Sequence, residues 1–106
     1  LHSFFDVANQ FYMRENLSLG LLKLAGEIDY IHISDNRGDR IEHRTVGDGA
    51  IDWKLFFATL ARIGFRGQLS IDVGGAETGI EDLDAAYRIS AERLEALSKR
   101  YKLFKQ

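Results

Sequence analysis

The sequence predicts an α/β fold built from parallel βαβ units. Strand-like and helix-like patterns alternate along its 106 residues, capping residues and glycines separate them, and polar side chains follow each predicted strand. Such alternation is typical of parallel sheets, because each strand needs a crossover helix to bring the chain back to the same end of the sheet. The length predicts a single domain, residues 1–106.

The first predicted unit is a strand followed by a helix. Residues 1–7 (LHSFFDV) read as a short apolar strand that ends beside Asp6. Asn16 is a suitable N-cap for the next helix. The apolar stripe predicted for that helix has helical spacing and consists of Leu17, Leu21, Leu24 and Ile28.

The second predicted unit begins with the strand 29–34 (DYIHIS). Because alternate residues of a strand face opposite ways, one face carries His32 with a tyrosine and a serine, and the other carries two isoleucines. A polar segment, 35–50, leads to a helix capped by Asp52 and stopped by Gly64. The core stripe predicted for this helix is Trp53, Phe56, Phe57, Leu60 and Ile63.

The third predicted unit begins with the strand 68–73 (QLSIDV). Thr78 and Glu81 have the spacing of a capping box, which predicts Thr78 as the N-cap of the last helix. The stripe of that helix is interrupted by Ser90 and otherwise contains Ile80, Leu83, Tyr87, Leu94, Leu97 and Tyr101.

Composition excludes several classes of protein. The formal net charge of −2 argues against a nucleic-acid partner. Without cysteine there is no disulfide framework and no thiolate ligand, which fits a cytoplasmic protein. No apolar run approaches the roughly 20 residues of a membrane span. We therefore expect a cytoplasmic globular protein with neither a membrane nor a nucleic-acid partner.

Each predicted strand delivers a residue of metal-ligand type at its carboxyl end: Asp6, His32 and Asp72. Taken singly, His32 is consistent with a hydrogen-bonded core histidine, Asp6 with a turn former and Asp72 with a cap for the following glycine turn. Together they favour a divalent ion, because carboxylate and imidazole suit Mn²⁺, Mg²⁺, Co²⁺ or Zn²⁺. In parallel α/β folds the carboxyl ends of the strands are where ligands bind.

The polar segment carries a second set of candidates. His43 precedes a pair of glycines that permit close approach of the backbone to a ligand, although an exposed loop histidine is the alternative. The basic and amide groups are most simply a solvated loop, with an anion site, such as a phosphate site, as the alternative: Asn36, Arg37, Arg40 and Arg44. We count Arg37 among the candidate substrate-binding residues.

Four segments of the sequence resemble the xylose isomerase-like TIM-barrel superfamily. They are 5–9 (FDVAN), 31–36 (IHISDN), 43–52 (HRTVGDGAID) and 64–72 (GFRGQLSID), in the order and spacing of that superfamily's last three βα units. The resemblance implies that the chain is the C-terminal part of a (β/α)₈ barrel. A complete barrel has about 250 residues, so either a missing N-terminal part or self-association would have to cover the open sheet.

The resemblance also implies roles for individual residues. Asp6, His32 and Asp72 would be metal ligands, and Asp72 would also be the catalytic acid or base in the place of the superfamily's glutamate. Asn9 and His43 would line the substrate site, with Asn9 replacing the commoner histidine. The implied activity is metal-dependent isomerisation or epimerisation of a sugar or sugar phosphate, with the isolated chain inactive because the second acid/base group is missing.

Two alternatives remain at this stage. One is an endonuclease IV-like phosphodiesterase, against which the acidity and Ile41, standing where that branch has a ligand aspartate, both count. The other is a non-catalytic α/β fragment that associates with itself.

Overall fold

A computed structural model describes residues 3–8, 17–23, 28–76 and 78–103. Its strands are β1 (Ser3–Asp6), β2 (Ile28–Ile33) and β3 (Gln68–Ile71), and its helices are α1 (Leu17–Lys23), α2 (Trp53–Ile63) and α3 (Leu83–Arg100). The strands form one parallel sheet in the order β1-β2-β3. The predicted alternation of strands and helices is therefore confirmed.

The register of the sheet aligns the ends of the strands. Asp6 pairs with His32, which in turn pairs with Ser70, and Ile33 pairs with Ile71. Because the strands are parallel, the residues that follow these pairs leave the sheet at one edge. Asp72 comes directly after β3, and its backbone N–H donates to the carbonyl of Ile33 at 2.9 Å.

Helix α2 begins and ends where the sequence predicts. The Asp52 carboxylate accepts a 3.0 Å hydrogen bond from the N–H of Leu55, and Gly64 ends the helix in the left-handed conformation with φ 70°. Its apolar stripe joins β2 and α3 in a core that contains these buried residues: Val7, Leu21, Ile31, Ile33, Val46, Ile51, Trp53, Phe56, Phe57, Leu60, Phe65, Leu94 and Leu103.

The predicted boundaries of two helices were wrong. Ile28, assigned to the stripe of the first helix, is the first residue of β2; Asn16 lies outside the described residues. Helix α3 begins at Leu83 and is capped by Asp82, whose carboxylate accepts from the N–H of Ala85 at 3.0 Å. Thr78 is not the N-cap, because its hydroxyl forms hydrogen bonds with other segments of the chain and not with the first turn of α3.

Ser90, which interrupts the apolar stripe of α3, has a structural role. It has no exposed surface, and its hydroxyl accepts a 3.1 Å hydrogen bond from the N–H of Val46. A buried backbone N–H without a partner is costly, so the serine stabilises the contact between α3 and the 35–51 loop.

Among the described residues no helix is both long and apolar enough to cross a membrane.

Candidate metal centre

Three side chains of metal-ligand type meet at the carboxyl edge of the sheet. Asp6 is the last residue of β1, His32 is its partner in β2, and Asp72 directly follows β3. Each offers one ligand atom, and these atoms lie within 4.8 Å of one another. The sheet register thus brings together the three residues that the sequence singled out.

The separation of His32 and Asp72 fits ligation of a single first-row divalent ion. The Nδ1 atom of His32 lies 3.6 Å from Oδ2 of Asp72. Such ions hold nitrogen and oxygen ligands at about 2.0–2.2 Å, so two ligand atoms of one ion are separated by about 4.4 Å at most. The side chain of His32 is 33% exposed and that of Asp72 is 52% exposed, which leaves the site open to solvent. Two carboxylates with an imidazole suit Mn²⁺, Co²⁺ or Zn²⁺ better than softer ions.

His32 is not a core histidine. Its strand neighbours Ile31 and Ile33 are fully buried against the helices, whereas His32 is on the opposite, partly exposed face. On that face the ring of Tyr30 contacts the imidazole edge-on, with centroids 5.2 Å apart and planes at 62°. An edge-to-face aromatic contact of this kind restricts the rotation of the ring.

Asp35, two positions beyond β2, organises the loop beside the cluster. It has no exposed surface, and its carboxylate accepts four hydrogen bonds of 2.7–3.2 Å, from the N–H groups of Asn36, Gly47 and Ile51 and from the indole of Trp53. A buried carboxylate needs this number of donors to offset its desolvation. One side chain thereby joins the start of the loop, its glycine turn and the start of α2.

Glu42 is a second buried carboxylate in the loop. Arg37 donates to it from Nε at 3.0 Å, from Nη2 at 3.1 Å and from its backbone N–H at 3.0 Å, and Arg44 donates from Nη1 at 3.2 Å. Burial alone would raise the pKa of Glu42, but the hydrogen bonds from the two arginines outweigh it and lower the pKa to about 2. The hydrogen bond with Glu42 in turn raises the pKa of Arg37.

The simpler interpretation of this segment, a solvated loop, was wrong for Asn36. Asn36 has no exposed surface, and its amide Nδ2 donates to the carbonyls of Arg40 and Glu42 at 3.0 and 3.1 Å. Arg37 is 45% exposed but holds its guanidinium on Glu42. The physical reason is that the loop folds back on itself, so its own backbone requires polar partners in its interior.

His43 is brought to the end of β3 by backbone contacts. It forms an antiparallel bridge with Gly74, whose N–H donates to the His43 carbonyl at 2.8 Å. The N–H of His43 donates to the hydroxyl of Thr78 at 2.9 Å. His43 therefore lies alongside a residue two positions beyond Asp72.

Sequence reasoning missed Glu42 and the role of Thr78, and Asn9 lies outside the described residues. A signal for Glu42 existed, since it stands among the basic residues of RIEHR. Thr78 carried no such signal, because its partner His43 is 35 positions away.

Parallel βα units with ligand-type side chains at the carboxyl ends of the strands are typical of α/β proteins, among them the TIM barrels. Comparison with protein families agrees: the profile described as "xylose isomerase-like TIM barrel" matches residues 2–97. The chain belongs to this family. Comparison with curated proteins gives no significant match.

Several solved structures share the fold. An L-ribulose 3-epimerase is 20% identical with a TM-score of 0.65, over 99% of this chain and 40% of its own. The 3-keto-D-glucoside 4-epimerase YcjR from E. coli is 22% identical with a TM-score of 0.71, over 90% of this chain and 33% of its own. A D-tagatose 3-epimerase-like protein is 27% identical with a TM-score of 0.69, over 94% of this chain and 37% of its own. The chain therefore spans 33–40% of the length of these structures.

Proposed function

We propose that this chain supplies the metal ligands and one acid/base group of a metal-dependent sugar or sugar phosphate isomerase or epimerase. The observation that carries the proposal is the convergence of Asp6, His32 and Asp72 within 4.8 Å at the carboxyl edge of a parallel sheet. The likeness to structures of sugar epimerases supports it.

The chain is proposed to act as the C-terminal part of a larger barrel. Within the described residues β1 and β3 each pair with β2 alone, so both outer edges are open to further strands. Unpaired parallel edges favour association with other strands. The proposed catalytic unit is called the native assembly below. It consists of this chain together with either an N-terminal part or further copies that complete its barrel.

In that assembly Asp6, His32 and Asp72 would hold one divalent ion, Mn²⁺, Mg²⁺, Co²⁺ or Zn²⁺. When bound, such an ion polarises a substrate carbonyl and stabilises the alkoxide that forms beside it. The exposure of His32 and Asp72 leaves the cluster accessible to a hydroxy-ketone.

Asp72 is the proposed catalytic acid or base. Its side chain is the most exposed of the three, at 52%, so it is accessible to a substrate. It would remove or return a proton at the carbon next to the carbonyl, and a carboxylate supplied by the completed barrel would act on the opposite face. Such a pair is needed for epimerisation, so the isolated chain is expected to be inactive.

Asn9, His43 and Arg37 are the proposed substrate-binding residues. The bridge of His43 to Gly74 supports its assignment, because it holds the histidine backbone next to the segment that carries Asp72. Arg37 already donates two side-chain hydrogen bonds to Glu42. A phosphate would have to compete for that guanidinium, which favours an unphosphorylated sugar.

Metal binding is tested first, on the 106-residue chain itself, by calorimetric titration with Mn²⁺ and Zn²⁺. We expect weak, saturable binding at one site, because the described part of the chain offers only three ligands there, on an open sheet that gives them little rigid support. His32→Ala should abolish it, and His43→Ala, the matched imidazole deletion outside the cluster, should leave it unchanged. Equal loss in both variants, or no binding by the wild-type chain, would overturn the metal assignment.

Activity is tested on the native assembly with Mn²⁺ and a panel of ketoses and their phosphates. We expect exchange of a carbon-bound proton with solvent deuterium on at least one ketose, faster for the free sugar than for its phosphate. Absence of exchange on every member would overturn the proposed function, and cleavage of abasic DNA instead would favour the phosphodiesterase.

A further inference from the structure

One hydroxyl group completes the contact between the loop and the segment after β3. In an antiparallel bridge of the hydrogen-bonded type, each residue donates its N–H to the carbonyl of the other. Between His43 and Gly74 one of these bonds is direct, from Gly74 N–H to the His43 carbonyl at 2.8 Å. The other half is completed by Thr78, whose hydroxyl accepts from the His43 N–H at 2.9 Å and donates to the Gly74 carbonyl at 2.7 Å.

The hydroxyl can perform both tasks because its surroundings fix it. Thr78 is 8% exposed, and its own N–H donates to the Gly75 carbonyl at 3.1 Å, which closes a tight turn that begins directly after Gly74. Gly74 and Gly75 have φ of 113° and 92°, conformations that favour glycine. A Cβ at Gly74 would approach Leu83 Cδ1 to 2.8 Å, so Gly74 itself lies against the start of α3.

This bridge joins the loop to the segment that carries Asp72. The remainder of the loop is anchored elsewhere. The Asp35 carboxylate binds Gly47 and Ile51, the Asp35 backbone exchanges two hydrogen bonds of 2.8 and 2.9 Å with Arg44, and Ser90 binds Val46. None of these bonds involves the segment after β3. Arg44 ties the neighbourhood of His43 to the end of β2, whereas the contacts that join His43 to the segment carrying Asp72 are the Gly74 bond and the bond to the Thr78 hydroxyl.

We propose that Thr78 is a positioning residue that sets the place of His43 relative to Asp72, and thereby the orientation of the substrate at the metal centre. The inference rests on the proposed function for its catalytic consequence, since His43 contacts substrate only if that function is correct. It adds a residue that lies outside the proposed substrate-binding and metal-binding sets and acts through His43.

The test replaces the hydroxyl without changing the volume of the side chain. In the native assembly, Thr78→Val should lower kcat/KM by about 10- to 100-fold, because a displacement of about 1 Å in a positioning group can have an effect of this size. Thr78→Ser, which keeps the hydroxyl, should remain within about threefold of wild type. The Kd for Mn²⁺ should be unchanged in both, because Asp6, His32 and Asp72 are untouched.

Thr59→Val is the matched control. Thr59 is also buried, at 7% exposure, and its hydroxyl donates to the Leu55 carbonyl within α2 at 2.9 Å. It undergoes the same chemical change away from the loop, so its activity should stay near wild type. An equal loss in Thr59→Val and Thr78→Val would show a general folding effect and overturn the proposal.

A double-mutant comparison distinguishes a positioning role of Thr78, exerted through His43, from an independent structural role. In a His43→Ala background, Thr78→Val should have little further effect on kcat/KM, because both changes remove the same contribution. Independent, multiplicative losses would overturn the proposal.

If the wild-type assembly turns over no sugar, that outcome rejects the proposed function alone. Hydrogen exchange then still tests the inference about Thr78. The His43 amide should be protected in wild type and in Thr78→Ser, and should exchange at least tenfold faster in Thr78→Val, with the Gly74 amide less affected. Unchanged protection of the His43 amide in Thr78→Val would refute the role of the hydroxyl whether or not the protein is an epimerase.

Discussion

The indole Nε1 of Trp53 donates a 2.7 Å hydrogen bond to Oδ2 of Asp35, a carboxylate with no exposed surface. The bond connects the first residue of α2 to the residue two positions beyond β2. The indole is one of the donors that bind the two carboxylate oxygens of Asp35, and the other donors are backbone N–H groups. The loop that carries His43 is therefore built around a buried anion.

Asp35→Asn should destabilise the chain by about 3 kcal/mol, since the amide nitrogen would face N–H donors and leave buried groups unpaired. Urea unfolding followed by the fluorescence of the single tryptophan measures this loss directly. Asp39→Asn, at an exposed position whose ion pair with Arg40 is 3.8 Å long, is the control and should change the free energy of unfolding by less than about 0.5 kcal/mol. Equal effects of the two substitutions would contradict the assigned role of Asp35.

Glu42 should make stability depend on pH in acid. Its pKa is about 2 in the folded protein against an ordinary value of 4.5, so the folded state binds fewer protons than the unfolded state. The contribution is fully present above pH 4.5 and is lost as the pH falls from about 4.5 to about 2. Glu42→Gln should remove this part of the pH dependence and cost about 2 kcal/mol at pH 7. Glu95→Gln, at an exposed pair with Lys99, should do neither.

Gly49→Ala should destabilise the loop by about 2 kcal/mol through steric overlap. A Cβ there would lie 2.7 Å from the backbone N and O of Asn36 and would also overlap the Asp35 carboxylate. Gly79→Ala is the comparison: its Cβ would meet nothing within 4 Å, although φ is 70°, so we expect a smaller loss of about 1 kcal/mol. Thermal unfolding of both variants tests the difference, and a larger loss at Gly79 would contradict it.

Asp72→Asn in the native assembly should reduce kcat at least as strongly as metal affinity. The asparagine keeps an oxygen that can face the ion but cannot accept or return a proton, so we expect a loss of about 10²-fold or more in kcat. Asp6→Asn, which changes a proposed ligand without the acid/base role, should act mainly on the Kd for Mn²⁺. If both variants show the same ratio of the two effects, Asp72 has no role beyond ligation.

The isolated chain should associate at high concentration. Both outer strands of the described sheet have open edges, and Leu19, Leu22 and Leu55 are each about half exposed on the helices. Sedimentation velocity should show species heavier than 12.0 kDa that increase with concentration. A single 12.0 kDa species at millimolar concentration would contradict this expectation, and the double substitution Leu19→Lys with Leu22→Lys should shift the distribution toward monomer.

The sequence by itself determined the βαβ order, the ends of α2 and the placement of Asp6, His32 and Asp72 at the ends of three strands. These features follow from local patterns: apolar periodicity, the Asp52 cap, the glycine at the end of α2, and the rule that parallel strands end at one edge.

Only the tertiary structure decided which polar residues of the loop are internal. Glu42 and Asn36 look solvated in sequence, yet both are fully buried, because the loop closes over its own backbone and needs acceptors and donors inside. Thr78 looks like a helix cap, but the helix begins at Leu83 and the threonine hydroxyl serves His43, 35 positions earlier. Contacts between segments so distant along the chain depend on how the sheet and helices pack, and no local pattern encodes them.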